Sequence, residues 1–208
     1  DHLYFGSRQG DIIRYFGPDH KRWEVYAHVG GMPLGLAFDK AGDLVCCIAG
    51  MGLYKIVRET REVVKLTDET NRSWFSIIDD SRLRLPDDLD IAPDGRIFFS
   101  EATIRFDMHE WMVDALESRG NGRIVCHDPR DGTTRTVVSG IRFPNGICLA
   151  HDGRSLFFAS TWSCTIERYW LEGPNKGRTE TVIADLPGYP DNINRASDGT
   201  YWLALVGM

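Results

Sequence analysis

The sequence predicts an all-β chain of propeller type, on three observations. One strand–turn–strand unit recurs four times, further strand pairs fill the gaps between recurrences, and a single short segment carries a helical period. The recurring unit reads "GLAFDKAGDLVCCI", "DLDIAPDGRIFFSE", "GICLAHDGRSLFFAS" and "NINRASDGTYWLAL". Its turn glycines are Gly42, Gly95, Gly153 and Gly199, spaced 53, 58 and 46 residues apart. A tight hairpin needs a residue that tolerates φ > 0, which glycine supplies at no steric cost. Between the units lie "GLYKIVRE" with "EVVKLTD" and "GRIVCHDP" with "TRTVVSGI". That makes about four strands per unit, the composition of a propeller blade. A β-sandwich also uses many short strands, but it has no reason to repeat one motif.

Taken in chain order, the opening "DHLYFGSRQGDIIRYF" reads as the same unit with its first strand cut off. About four blades are thus expected in this chain, two of them incomplete. An open arc exposes sheet edges that a closed ring buries. Residues 1–208 are therefore expected to form a single β-propeller domain, incomplete at both ends or completed by other segments. The helical exception is "RFDMHEWMVDALES", residues 105–118. Its apolar residues Phe106, Met108, Trp111, Met112, Val113, Ala115 and Leu116 are spaced as on an amphipathic helix. Lying between two strands of one blade, it is expected as an insertion that roofs a pocket or covers core.

Composition narrows the function classes. The 208 residues are 42% hydrophobic and 26% charged, the balance of a soluble globular chain. A net charge of −6 argues against a nucleic-acid footprint. No apolar run approaches the roughly 18 residues of a membrane span. No targeting segment is visible, so the compartment stays unread. The five cysteines, Cys46, Cys47, Cys126, Cys148 and Cys164, form no C-x-x-C pair and are odd in number. Zinc and a full disulfide framework are therefore not expected, and buried free thiols are. Asn71-Arg72-Ser73 is a glycosylation sequon, of consequence only in a secreted protein.

The candidate site comes from three matching approaches to the inner strands: "LPDDLDI" (85–91), "FPNGICL" (143–149) and "GYPDNINR" (188–195). Each is a proline followed by Asp or Asn and an apolar strand. Proline stiffens the approach, and the next residue offers a side-chain oxygen. Asp87, Asn145, Asp191 and Asn192 are thus expected to converge on the channel axis. Hard oxygens from separate segments suit Ca2+, which accepts 6–8 such ligands in irregular geometry. Ordinary turn capping by Asx residues is the competing explanation. Asp87 and Asp191 would be like charges near one axis, so one is expected to have a raised pKa without a cation.

These residues carry a resemblance. The chain resembles strictosidine synthase-like proteins, within the six-bladed propellers that include gluconolactonase/regucalcin and the paraoxonases. The resemblance is carried by "GMPLGLAFDKAGDL", "LPDDLDIAPDGRIFFSEATIRF", "FPNGICLAHDGRSLFFAS" and "IERYWLEGPNKGRTETVIADLPGYPDNINRASDGTYWLAL". It implies six blades and a site at one end of the channel, holding Ca2+ in the hydrolytic relatives. It implies Asn145, Asp191 and Asn192 as ligands, with Asp87 where the family usually has Asn. The family's early glutamate ligand would precede Asp1. Ile48 and Ser160 stand where the family has acids, and Glu101 keeps one.

Three functions compete. The first is a Ca2+-dependent hydrolase of lactones or aryl esters, acting on a small-molecule substrate. Its candidate catalytic acids are Glu101 and Asp88, and its candidate pocket residues are His109, Trp111, Ser160, Trp162 and Tyr189. The second is a strictosidine synthase-type condensation of amine with aldehyde, for which Trp111, Trp162 and Tyr189 would line an aromatic slot. The third is a non-catalytic sensor or binding propeller, fused to or associated with other domains in a larger protein.

Overall fold

A computed structural model describes residues 2–17, 19, 21–72 and 80–207. Seventeen strands form five antiparallel sheets among these residues, and each sheet is a meander of sequential neighbours. The first holds β1 (His2–Gly6), β2 (Asp11–Phe16) and β3 (Arg22–His28). The second holds β4 (Met32–Phe38), β5 (Leu44–Ala49), β6 (Gly52–Ile56) and β7 (Val63–Thr67). The third holds β8 (Pro86–Ile91), β9 (Ile97–Glu101), β10 (Gly122–Asp128) and β11 (Thr133–Ile141). The fourth holds β12 (Pro144–Leu149), β13 (Ser155–Ser160), β14 (Thr165–Trp170) and β15 (Thr179–Ile183), and the fifth β16 (Tyr189–Arg195) and β17 (Tyr201–Val206). These sheets are blades of a β-propeller. The repeat is borne out, and its turn glycines all take positive φ, from +68° at Gly153 to +91° at Gly95 and Gly199.

The core is laid down between blades. One apolar layer joins the first and second sheets through Ile12, Tyr26, Leu44, Cys46, Ile48 and Ile56. Another joins the second and third through Val45, Cys47, Leu53, Leu89, Phe99 and Val125. A third joins the third and fourth through Phe98, Ile124, Ile147, Leu149, Leu156 and Phe158. Alternation of side chains across each strand lets one strand feed two layers, as Cys46 and Cys47 do. All five cysteines are free, four of them buried and Cys164 partly so. Burial pushes the Cys46 and Cys148 thiols up to about 12, so they behave as packing residues. Ser73 of the sequon lies outside the described residues.

The helical insertion is real but shorter than its periodic pattern. Only α1 (Trp111–Glu117) is α-helical, between β9 and β10 of the third blade. Its buried residue is Asp114, which accepts a 2.9 Å hydrogen bond from the Asn121 side chain. Met112, Val113 and Leu116 are exposed, Leu116 by 85%. Of the two expected placements, a pocket roof or a cover for core, the segment takes the first: Met108, Trp111, Met112 and Ala115 line a cavity.

Four inner strands share one irregularity. In β4, β8, β12 and β16 the register shifts between Pro33 and Leu36, Pro86 and Leu89, Pro144 and Ile147, and Pro190 and Ile193. Each shift inserts one extra residue, a β-bulge, and a bulge re-aims the side chains it contains. Neighbouring inner strands pack against one another, β4 on β8, β8 on β12 and β12 on β16.

Candidate functional site

The bulges build the site. The residue after each proline, Leu34, Asp87, Asn145 and Asp191, lines one cavity of about 950 Å3. Asn192 lines it as well. All four predicted oxygen donors therefore meet in one place. The fourth position is Leu34, so the ring of side chains is polar over three blades and apolar at the second. "MPLGLAF" carries the same Pro-x-x-apolar pattern in the sequence, but its apolar residue hides it from a search for oxygen ligands.

Glycines let the strands approach closely enough for this convergence. A Cβ on Gly35 would lie 2.7 Å from the Asp87 carbonyl oxygen and the Asp88 Cα. A Cβ on Gly146 would lie 2.4 Å from the Ile193 nitrogen and 2.5 Å from the Asp191 carbonyl oxygen.

Burial sets the electrostatics here, and neighbouring carboxylates add to it at Asp87. Burial, then the charges of Asp88 and Asp191, push Asp87 up to about 8. Burial raises Asp191, opposed by the Asn192 backbone N–H and by the Asn145 side-chain amide, which donates to it. With its amide nitrogen turned to Asp191, Asn145 keeps Oδ1 buried and without a partner. An orphaned buried acceptor costs about 1–3 kcal/mol unless something satisfies it. A hard cation would do so, and two carboxylates with two amide oxygens are donors of the right chemistry. Among the described residues no group of three or more His, Cys, Asp or Glu side chains could hold a metal ion. Any metal here would depend on the amides.

The candidate acids lie elsewhere. Glu101 is fully buried, its Oε2 accepting from Arg123 Nε at 2.5 Å and its Oε1 from the Arg84 backbone at 2.7 Å. Asp88 is buried, which pushes it up to about 6, and accepts the Ile147 N–H at 3.0 Å. Neither lines the cavity. Ser160 is buried outside it and bonds the Arg142 carbonyl and Ser163. His109 is exposed and outside the lining, because the chain before α1 turns Met108 inward in its place.

The predicted aromatics do reach the cavity. Trp111 from α1 stacks on Trp162, with centroids 6.0 Å apart and planes 9° apart. Trp162 also meets Phe143 at 4.9 Å and Tyr189 edge-on at 5.4 Å. Phe143, Met108 and Thr161 were missed as lining residues. Phe143 immediately precedes the Pro144-Asn145 pair and was legible from that position.

The fold and cavity define a class, a β-propeller with an Asp/Asn-lined channel mouth. Residues 87–174 match the strictosidine synthase family model, and the chain is strictosidine synthase-like. It is 36% identical over 187 residues to protein strictosidine synthase-like 13 of Arabidopsis thaliana, covering 89% of this chain and 44% of that protein. It is 34% identical over 219 residues to the adipocyte plasma membrane-associated protein of Danio rerio, covering 100% of this chain and 52% of that protein. The chain thus spans about half the length of the curated relatives it matches. A solved gluconolactonase from Xanthomonas campestris superposes with a TM-score of 0.75 at 16% identity, over 98% of this chain and 66% of that one. A calcium-binding regucalcin from Agrobacterium tumefaciens superposes with a TM-score of 0.68 at 18% identity, over 95% and 60%. At these identities the superpositions show the shared fold. Among the described residues no helix is long and apolar enough to cross a membrane.

Proposed function

We propose that the cavity is the site of a Ca2+-dependent hydrolase of lactones or aryl esters. The observation that carries this reading is the buried, unpartnered Oδ1 of Asn145 beside Asp191 and Asp87 in one cavity. Asp87, Asn145, Asp191 and Asn192 would hold the ion. When bound, such an ion stabilises charge that develops on a carbonyl oxygen. Asn145 stabilises the Asp191 carboxylate through its side-chain amide, which leaves its buried oxygen without a partner. Without an ion, burial and the neighbouring carboxylates push Asp87 up to about 8, so an ion held there would displace its proton. In the overall reaction water adds its oxygen to the acyl carbon and the acyl C–O bond breaks. Water's proton goes to the departing alkoxide, giving a hydroxy acid from a lactone. The presence of a gluconolactonase and a calcium-binding regucalcin among the structural neighbours supports the reading.

Calorimetry with Ca2+, on the parent and on Asn145→Ala and Asp191→Ala, tests it first. Binding in the parent and its loss in both variants is expected, followed by chelator-sensitive turnover of lactones or aryl esters. A folded parent that binds no Ca2+ overturns the mechanism. Chelator-indifferent condensation of an amine with an aldehyde would favour the strictosidine synthase-type alternative.

A further inference from the structure

Asn145 and Asp191 come from different blades, yet they are joined side chain to side chain. Thr161 touches the approach to each. It opens the short 3-10 turn Thr161–Ser163 that follows β13. Its backbone N–H donates to the Phe143 carbonyl at 3.1 Å, two residues before Asn145. Its Oγ1 donates to the Pro190 carbonyl at 2.8 Å, one residue before Asp191. Its own carbonyl accepts the Cys164 N–H at 3.2 Å, which closes the turn. Every polar group of Thr161 is thus engaged, and the residue is buried. Thr161 lines the cavity, but its hydroxyl proton is directed to Pro190.

Both anchored carbonyls stand where a ladder is about to break. The register shifts after Pro144 in β12 and after Pro190 in β16. A bulge disrupts its own ladder, so its side chains are aimed only as well as the backbone beside them is held. The third blade carries half of the same device. There the Ala102 N–H donates to the Leu85 carbonyl at 2.9 Å, two residues before Asp87. Alanine has no hydroxyl to extend to the fourth blade, and Asp88 spans that boundary with its carboxylate instead.

We propose that Thr161 is a positioning residue for the Asn145–Asp191 pair. One N–H and one hydroxyl clamp the approaches to both residues and so set how the pair meets. The consequence for Ca2+ rests on the hydrolase reading, whereas the clamp itself does not.

The test uses the complete natural polypeptide with isotope-labelled asparagine. Thr161→Val replaces the hydroxyl by a methyl, and Thr161→Ser keeps the hydroxyl. Thr134→Val is the control, since it deletes a buried hydroxyl that bonds His127 at 2.9 Å outside this cavity. The side-chain amide signals of Asn145, identified by their loss in Asn145→Ala, are followed in the metal-free protein. The Kd for Ca2+ is measured by calorimetry. Thr161→Val is expected to shift the Asn145 signals and to weaken Ca2+ about tenfold, the scale of partners that orient metal ligands. Thr161→Ser and Thr134→Val should match the parent in both. In a parent that binds Ca2+, a folded Thr161→Val with unshifted signals or an unchanged Kd overturns the proposal. A serine or Thr134 variant as weak as the valine variant does so too. In a parent that binds no Ca2+, the amide signals decide alone. A shift in the valine but not the serine variant upholds the clamp while the hydrolase reading falls, and no shift overturns both. Should Thr161→Val fail to fold, Thr161→Ala carries the same comparison.

Discussion

The Asp88 carboxylate accepts the backbone N–H of Ile147 at 3.0 Å, across the boundary between the third and fourth blades. Two residues on, Asp90 repeats the contact, taking the Leu149 N–H at 2.8 Å and pairing with Arg195 of the fifth sheet at 2.9 Å. Asp88 occupies the bulge position that is Gly35 in β4 and Gly146 in β12. There glycine lets backbones touch, and here a side chain spans the gap to an otherwise open strand edge. Asp88→Ala should therefore cost about 1–3 kcal/mol by leaving a buried N–H unsatisfied. Asp88→Asn, which keeps an acceptor, should cost less. Urea unfolding measures both, and an alanine variant as stable as the parent would remove the latch.

Glu101 and Arg123 form a pair in which both side chains are at most 5% exposed. Removing one partner strands a buried charge, so Glu101→Ala should lose about 3–5 kcal/mol. Glu101→Leu with Arg123→Met should regain much of that loss. Ca2+ affinity of the folded double variant should match the parent, since neither residue lines the cavity. A double variant that is folded but no longer binds Ca2+ would return Glu101 to the site.

Gly146→Ala should disrupt the fourth and fifth blades together, because its Cβ would meet backbone at 2.4 Å that cannot rotate aside. Gly153→Ala has open space and faces only the backbone cost of φ +68°, about 1 kcal/mol. Thermal unfolding should rank the first well below the second, with Ca2+ binding lost only in the first.

Without metal, Asp87 at about 8 and Asp88 at about 6 both hold protons in the folded state that the unfolded chain releases near 4. Their contribution to stability is thus greatest below about pH 4 and is lost as pH rises towards 8. Ca2+ should tighten with pH over the same window and displace protons as it binds. Calorimetry in buffers of different ionisation enthalpy would show the displaced proton, and none released at pH 7 would contradict the shift of Asp87.

Much of this was legible in residue order. The Gly42, Gly95, Gly153 and Gly199 turns dictated the hairpins, because φ > 0 is a local demand that a residue meets or fails by itself. The Pro-Asp/Asn segments marked the cavity lining, since proline, Asx residue and apolar residue stand together in the chain. Glu101 misled because an acid near a strand end looks the same whether it faces a cavity or Arg123, which lies 22 residues away. His109 misled because one residue of helical phase separates it from Met108. The helical period of 105–118 located the insertion but not the side on which it would find cover.

The sequence by itself determined the blades, their turns and the Pro-Asp/Asn segments that line the cavity, each a property of a few adjacent residues. Only the tertiary structure decided that Leu34 lines one cavity with Asp87, Asn145 and Asp191, that Asn145 keeps an unpartnered oxygen, and that Trp111 meets Trp162. Those relations join residues from different blades. They depend on how closely the inner strands pack, which Gly35 and Gly146 permit and interblade burial enforces.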